Sequence, residues 1–183
     1  MEPQPSPCFL DFEASSLSRE SFPIEVAWSL EDGSIESYLI SPEGIPTWSD
    51  WSRESEKIHG LTRNRLLAEG SPPLLVRLRL EEFLRGKVVY TDAPDFDGQW
   101  MTALFAATGD AVQRFELRDS EELFLSMLGT LTPDRPTALI ELKAIKATAR
   151  KNHPLRHRAA WDVEYLMEVW RLSAWRAGLR TRS

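Results

Sequence analysis

Cysteine and histidine are nearly missing from this chain, which has one Cys, at position 8, and three His among 183 residues. A lone cysteine makes no internal disulfide, and so few soft ligands leave no Cys/His cluster for zinc. No apolar run approaches the roughly 18–20 residues of a membrane span. Positive charge is also short: 22 Lys and Arg face 28 Asp and Glu, a net charge of −6. That balance argues against broad, non-specific coating of nucleic acid. It leaves open a site that grips only a strand end with the help of metal ions. Internal repeats and interdomain linkers are lacking. Residues 1–7, Met1 to Pro7, have neither the basic start nor the apolar core of a secretory leader. They read as a short disordered lead-in to a single domain over residues 8–183. These absences predict a reducing cytoplasm and no membrane partner, and they leave a homodimer open.

What is present is ordinary for a folded domain, with 42% hydrophobic and 27% charged residues. Cys8 to Phe12 is a short apolar run of strand type. Ile24, Val26, Trp28 and Leu30 alternate with Glu25, Ala27 and Ser29, which predicts a strand with one buried face. Asp32-Gly33 signals a hairpin, and Ile35 to Ile40 the return strand. Short helical pieces follow around Glu54–His59 and Asn64–Glu69. From Pro72 the period becomes helical until Gly86, and Val88 to Tyr90 reads as a buried strand. A helix from about Asp97 to Thr108, a fifth strand over Val112–Leu117 and a helix capped by Asp119 come next. Helices over about Pro136–Arg150 and Arg158–Ala177 end the chain. The fold class is α/β, a mixed five-stranded sheet with helices on both sides.

Three polar sets interrupt this pattern. Asp11 and Glu13 stand two apart at the end of the first strand, so both point to one face. Two desolvated like charges repel, and a hard divalent cation would relieve both penalties. A strand running out into solvent would carry the same pair harmlessly. Asp92, Asp95 and Asp97 lie where a strand passes into a helix, a usual place for ligands of open α/β sheets and also for helix caps. His157 and Asp162 flank the start of the last helix, where a surface histidine after a proline turn is the plainer reading.

Taken in order, the three sets resemble the motifs of the DnaQ-like 3′–5′ exonucleases, in the subgroup with a histidine in the third motif. Asp11 and Glu13 match the first motif, Phe96-Asp97 the end of the second, and His157-Arg158-Ala159-Ala160-Trp161-Asp162 the third. Ile58-His59-Gly60-Leu61-Thr62 and Pro23-Ile24-Glu25-Val26 resemble further stretches of that family. Two positions depart from it: Ala93 stands where an Asn is usual, and Ser15-Ser16-Leu17 replaces Thr-Gly-Leu.

The resemblance implies an RNase H-like fold and 3′–5′ hydrolysis of single-stranded DNA or RNA. It implies two Mg²⁺ or Mn²⁺ ions held by Asp11, Glu13, Asp97 and Asp162, with His157 as general base. Within the second motif, Asp97 is the expected ligand, Asp95 the expected N-cap, and Phe96 the expected core anchor of the helix start. Candidate substrate contacts are Trp48, Trp51, His59, Asp92 and Arg158. Lys143, Lys146, Arg150, Lys151, Arg156 and Arg158 form a local basic run, either a phosphate track or a solvated helix face. Trp48 and Trp51 either stack on bases or pack over the sheet, whereas Trp28, Trp100 and Trp170 read as core. Two other functions remain: a non-catalytic nucleic-acid-binding module, and a hydrolase of nucleotides or very short oligoribonucleotides.

Overall fold

The structure, a computed structural model, describes residues 6–109, 115–131, 134–154 and 156–179. Its sheet is built from β1 (Cys8–Ala14), β2 (Pro23–Ser29), β3 (Ile35–Leu39), β4 (Val88–Thr91) and β5 (Glu116–Asp119). The strand order is β3-β2-β1-β4-β5. The first three strands form an antiparallel meander, and β4 and β5 add in parallel beside β1. The described helices are α1 (Arg53–His59), α2 (Arg63–Glu69), α3 (Pro73–Leu84), α4 (Pro94–Ala107), α5 (Ser120–Leu128), α6 (Arg135–Asn152) and α7 (Ala159–Arg176). This is a mixed five-stranded α/β sheet of the RNase H-like type. Among the described residues no helix is long and apolar enough to cross a membrane.

Two cores lie on opposite faces of the sheet. Leu10, Phe12, Ile24, Val26 and Trp28 pack with Val76 and Leu80 of α3 and with Met101 and Leu104 of α4. Phe9 and Ala27 pack the other way, with Phe124 of α5, Leu142 of α6 and Val163 and Leu166 of α7. Each fully buried side chain of this size stabilises the fold by about 1.5–3 kcal/mol. Trp28, Trp100 and Trp170 are core residues, as their positions predict. The hairpin turns at Gly33, whose φ of 83° is a conformation open to glycine, and Leu30 N–H closes it on Ser34 O at 2.8 Å.

Several boundaries differ from expectation. β2 is buried on both faces, because α7 covers the side that carries Glu25 and Ala27. The fifth strand is Glu116–Asp119; Phe115 precedes it, and Val112 to Arg114 lie outside the described residues, as do residues 1–5 of the lead-in. α4 begins at Pro94, whose fixed φ and missing N–H suit a first helical position. Ala93 is therefore the N-cap, and Asp95 sits inside the first turn without capping it. Phe96 does not anchor the helix in the core. It is 42% exposed and stacks on Trp100 from outside, with ring centroids 5.6 Å apart.

Candidate metal centre and adjoining cavity

Strand alternation fixes the direction of the first two acids. Phe9 belongs to the core under α7, so Asp11 and Glu13 project to that same face, beyond the last apolar layer. The chain delivers the other acids to this edge by different routes. Asp92 directly follows β4, whose C-terminal end lies beside that of β1 because the two run parallel. Asp97 comes from the first turn of α4 and Asp162 from the first turn of α7. The dipoles of both helices favour negative charge at these places.

The acids form two groups with one shared member. Carboxylate oxygens of Asp11, Glu13 and Asp162 lie within 4.8 Å of one another, and so do those of Asp11, Asp92 and Asp97. Asp97 is buried, at 1% exposure. Its Oδ2 accepts a very short hydrogen bond from the Thr91 hydroxyl, while Oδ1 has no hydrogen-bond partner among the described residues. Arg150 is the cation nearest Asp162 among the described residues, with Nη1 3.7 Å from Oδ1.

Protonation follows from this crowding. Burial pushes Glu13 up to about 8, with Asp162 and Glu25 adding to the rise and Arg158 opposing it. Burial likewise pushes Asp97 up to about 8, against the Thr91 hydroxyl and the Phe12 N–H and with the help of Asp92. Asp11 is raised well above the usual carboxylate range by desolvation, then by Asp97, Glu13, Asp162 and Asp92. Desolvation also raises Asp162, with Asp92 adding and Arg150 opposing. Asp92 is solvent-exposed, yet enough protein surrounds its carboxylate for desolvation to raise it too, against Lys146. An all-oxygen donor set that resists its own ionisation, with an unpartnered buried oxygen, fits hard divalent cations.

Beside Glu13 is a cavity of about 250 Å³ whose lining includes Leu17, Ile58, His59, Trp100 and His157. His157 has a φ of 46°, the one non-glycine residue with positive φ among those described. Such a conformation is uncommon, though His adopts it more readily than most. It lies just ahead of the α7 N-cap, Arg158. His59, 5% exposed, accepts a hydrogen bond at Nδ1 from Leu61 N–H at 3.0 Å. Burial lowers its pKa, so the neutral ring carries its proton on Nε2, which is buried without a partner.

Other candidates have different employment. Trp48 is buried and stacks on Phe22 with ring centroids 5.2 Å apart, so it packs and offers no face to a base. Trp51 is half-buried, donates from Nε1 to Glu56 at 2.7 Å and meets the His59 ring edge-on, 6.4 Å between centroids. Arg158 is paired with the buried Glu25 of β2, with its own side chain 33% exposed. The rest of the basic run is largely occupied as well. Lys146 binds Glu121 at 2.7 Å, Arg150 lies 3.7 Å over the Tyr165 ring, and Arg156 lies 4.1 Å over that of Trp161. Lys143 and Lys151 face solvent. The solvated-face reading fits this helix better than a continuous phosphate track.

Two contributors escaped the sequence. In the sequence Glu25 is an alternating strand residue within a stretch that resembles the exonuclease family, and neither feature assigns it a partner, though an acid on a central strand needs a buried one. Asp50 accepts a very short hydrogen bond from Ser16 Oγ and another from Ser18 Oγ at 3.1 Å, while Gln99 Nε2 donates to Ser18 O at 2.8 Å. These bonds fix the loop that carries Leu17 at the cavity mouth. No local pattern links residues so far apart.

Fold and site together define an RNase H-like domain with a carboxylate-rich centre at the ends of its central strands. No family model matches the chain, and no curated protein matches it in sequence. Among solved structures it is similar to exonuclease I of E. coli. The zinc-bound form of that protein's complex with single-stranded DNA gives a TM-score of 0.67 at 15% identity, over 94% of this chain and 41% of that one. The complex with a dA16 oligonucleotide gives 0.68 at 15%, again over 94% and 41%. This chain spans about 41% of the length of those structures, and the likeness is one of fold.

Proposed function

We propose that this chain is a metal-dependent 3′–5′ exonuclease, hydrolysing phosphodiester bonds at the 3′ end of single-stranded nucleic acid. The observation that carries this reading is the pair of three-carboxylate groups sharing Asp11, next to a cavity lined by two histidines. Asp11, Glu13, Asp97 and Asp162 would hold Mg²⁺ or Mn²⁺. Such ions, when bound, supply charge neutralisation at the phosphate and acidity to water. His157 is half-exposed at the cavity edge, where its imidazole can take the proton of the attacking water. General-base help of this kind contributes about 10²–10⁴ in rate.

The cavity supports action at a strand end. At about 250 Å³ it is smaller than the roughly 300–1,000 Å³ of drug-sized sites, so it suits one terminal nucleotide. Leu17, Ile58 and Trp100 offer apolar contact to a base or sugar. The oligonucleotide complexes of exonuclease I, which shares the fold, support a single-stranded substrate. The intact acids and His157 argue against a purely binding module.

The test uses purified protein with 5′-labelled single-stranded DNA, single-stranded RNA and dinucleotides, in magnesium, manganese or EDTA. Stepwise release of mononucleotides from the 3′ end, abolished by EDTA, is expected. Inertness on every substrate with both metals, or activity that survives EDTA, overturns the reading. Cleavage of dinucleotides alone would mark a hydrolase of very short oligonucleotides instead.

A further inference from the structure

Strand register places one more acid at this centre beside Asp11, Glu13, Asp97 and Asp162. β1 and β4 are parallel, with Cys8 opposite Val89 and Phe9 opposite Tyr90. Residues opposite one another in a parallel pair point to the same face. Phe9 and Tyr90 do so, with ring centroids 6.3 Å apart under α7. Continuing the same register by two residues brings Asp92 level with Asp11 and on its face. The two carboxylates, with that of Asp97, fall within 4.8 Å of one another.

Crowded acids alone do not make a site, but here a second observation points to a ligand. Asp97 is 1% exposed, and its Oδ1 is buried with no hydrogen-bond partner among the described residues. Leaving a buried carboxylate oxygen unmatched is costly unless something fills the place. Thr91 engages Oδ2, and the Phe12 N–H favours the charged carboxylate without making a hydrogen bond to Oδ1. Asp92 makes no ion pair shown among the described residues, since Lys146 is drawn to Glu121 and Arg150 to Asp162.

We propose that Asp92 is a fifth metal-ligating carboxylate, completing with Asp11 and Asp97 a second divalent-cation site beside that of Asp11, Glu13 and Asp162. The inference rests on the metal-dependent reading above and deepens it. Asp11 is common to the two three-acid groups, so each would offer an ion three carboxylates. Asp92 is exposed, so this second site opens to solvent, whereas Asp97 closes it from the sheet side. An ion held there is coordinated through chain segments that lie far apart in sequence: β1, the end of β4 and α4.

The test reads metal binding directly. Mn²⁺ is titrated by calorimetry and by electron paramagnetic resonance into wild type, Asp92→Asn, Asp92→Glu and Asp162→Asn, with circular dichroism to verify folding. Wild type is expected to bind two Mn²⁺. Asp92→Asn should keep one site and weaken the other by at least about tenfold, the lower end of what losing an outer partner of a ligand costs. Asp92→Glu, which keeps the charge, should restore part of that loss. Asp162→Asn should weaken the other site. Two wild-type affinities in Asp92→Asn overturn the assignment of Asp92 while leaving the metal-dependent reading in place. Absence of Mn²⁺ binding in wild type overturns both.

Discussion

Arg158 grips Glu25 at two points, Nη2 to Oε1 at 2.7 Å and Nε to Oε2 at 2.9 Å. The same carboxylate accepts from Ala159 N–H, the first residue of α7, at 3.2 Å. One buried acid on β2 therefore ties down the start of α7, with His157 immediately before it and Asp162 in its first turn. Glu25 also lies opposite Glu13 in the strand register, so the anchor and the metal centre share one stretch of sheet.

The two halves of this pair should respond unequally to mutation. Arg158→Ala leaves a 2%-exposed carboxylate without its cation, and breaking a buried pair in this way costs about 3–5 kcal/mol. Glu25→Gln should cost less, because the Arg158 side chain is 33% exposed and regains water. Urea unfolding of both variants measures the difference. Equal losses, or a larger loss in Glu25→Gln, would mean that the anchor is held by something other than this pair.

His157 links strain to chemistry. His157→Ala should lower turnover by about 10²–10⁴ with Mn²⁺ affinity kept, because the residue is proposed as a base and not as a ligand. His157→Gly should be equally inactive yet more stable than His157→Ala, by about 1 kcal/mol, since glycine accepts the φ of 46° freely. Calorimetric metal titration and thermal melts separate the two effects. A loss of metal affinity as large as that of Asp11→Ala would assign His157 a ligand's role.

The acids of the second motif divide sharply. Asp97→Asn should abolish most turnover at saturating magnesium while its metal-free melting temperature near neutral pH stays close to that of wild type, because the buried carboxyl, pushed up to about 8, already holds its proton there when no metal is bound. Asp95 is exposed and caps nothing, so Asp95→Asn should be near wild type in both respects, within the roughly 0.3–1 kcal/mol of its dipole interaction. Collapse of turnover in Asp95→Asn would overturn this division.

The pH dependence of stability carries the same signature. Glu13 and Asp97 have folded-state pKa values of about 8, against about 4 in an unfolded chain. Between those limits the folded state keeps protons that the unfolded state has released. The stability these two groups contribute is therefore complete below about pH 4 and is lost as pH rises toward 8. EDTA-treated protein should melt lower at pH 8 than at pH 5.5, and Mn²⁺ should remove that decline by replacing the protons. In Asp97→Asn the decline should shrink. A metal-free melting temperature that rises over this interval, identically in both proteins, would contradict the crowding described.

Period and punctuation in the sequence were enough for most of the architecture. The alternation of Ile24 to Leu30, the Asp32-Gly33 turn and the helical spacing from Val76 to Leu84 are local signals, and local backbone preference decides them. Asp11 and Glu13 stand out as charges at the end of an apolar element, whereas Asp97, His157 and Asp162 are singled out through the resemblance to the exonuclease motifs. The start of α4 is ambiguous in the sequence because Asp95 and Pro94 are both good beginnings for a helix, and in the folded chain proline leads. The fate of Phe96 and Trp48 depended on which neighbours arrived to cover them. Asp92 joined the centre through the parallel register of β1 and β4, and Glu25 found Arg158 across 133 positions. Those relations belong to tertiary structure alone, because pairing across a sheet and burial beneath a helix bring together residues whose separation along the chain carries no trace of their contact.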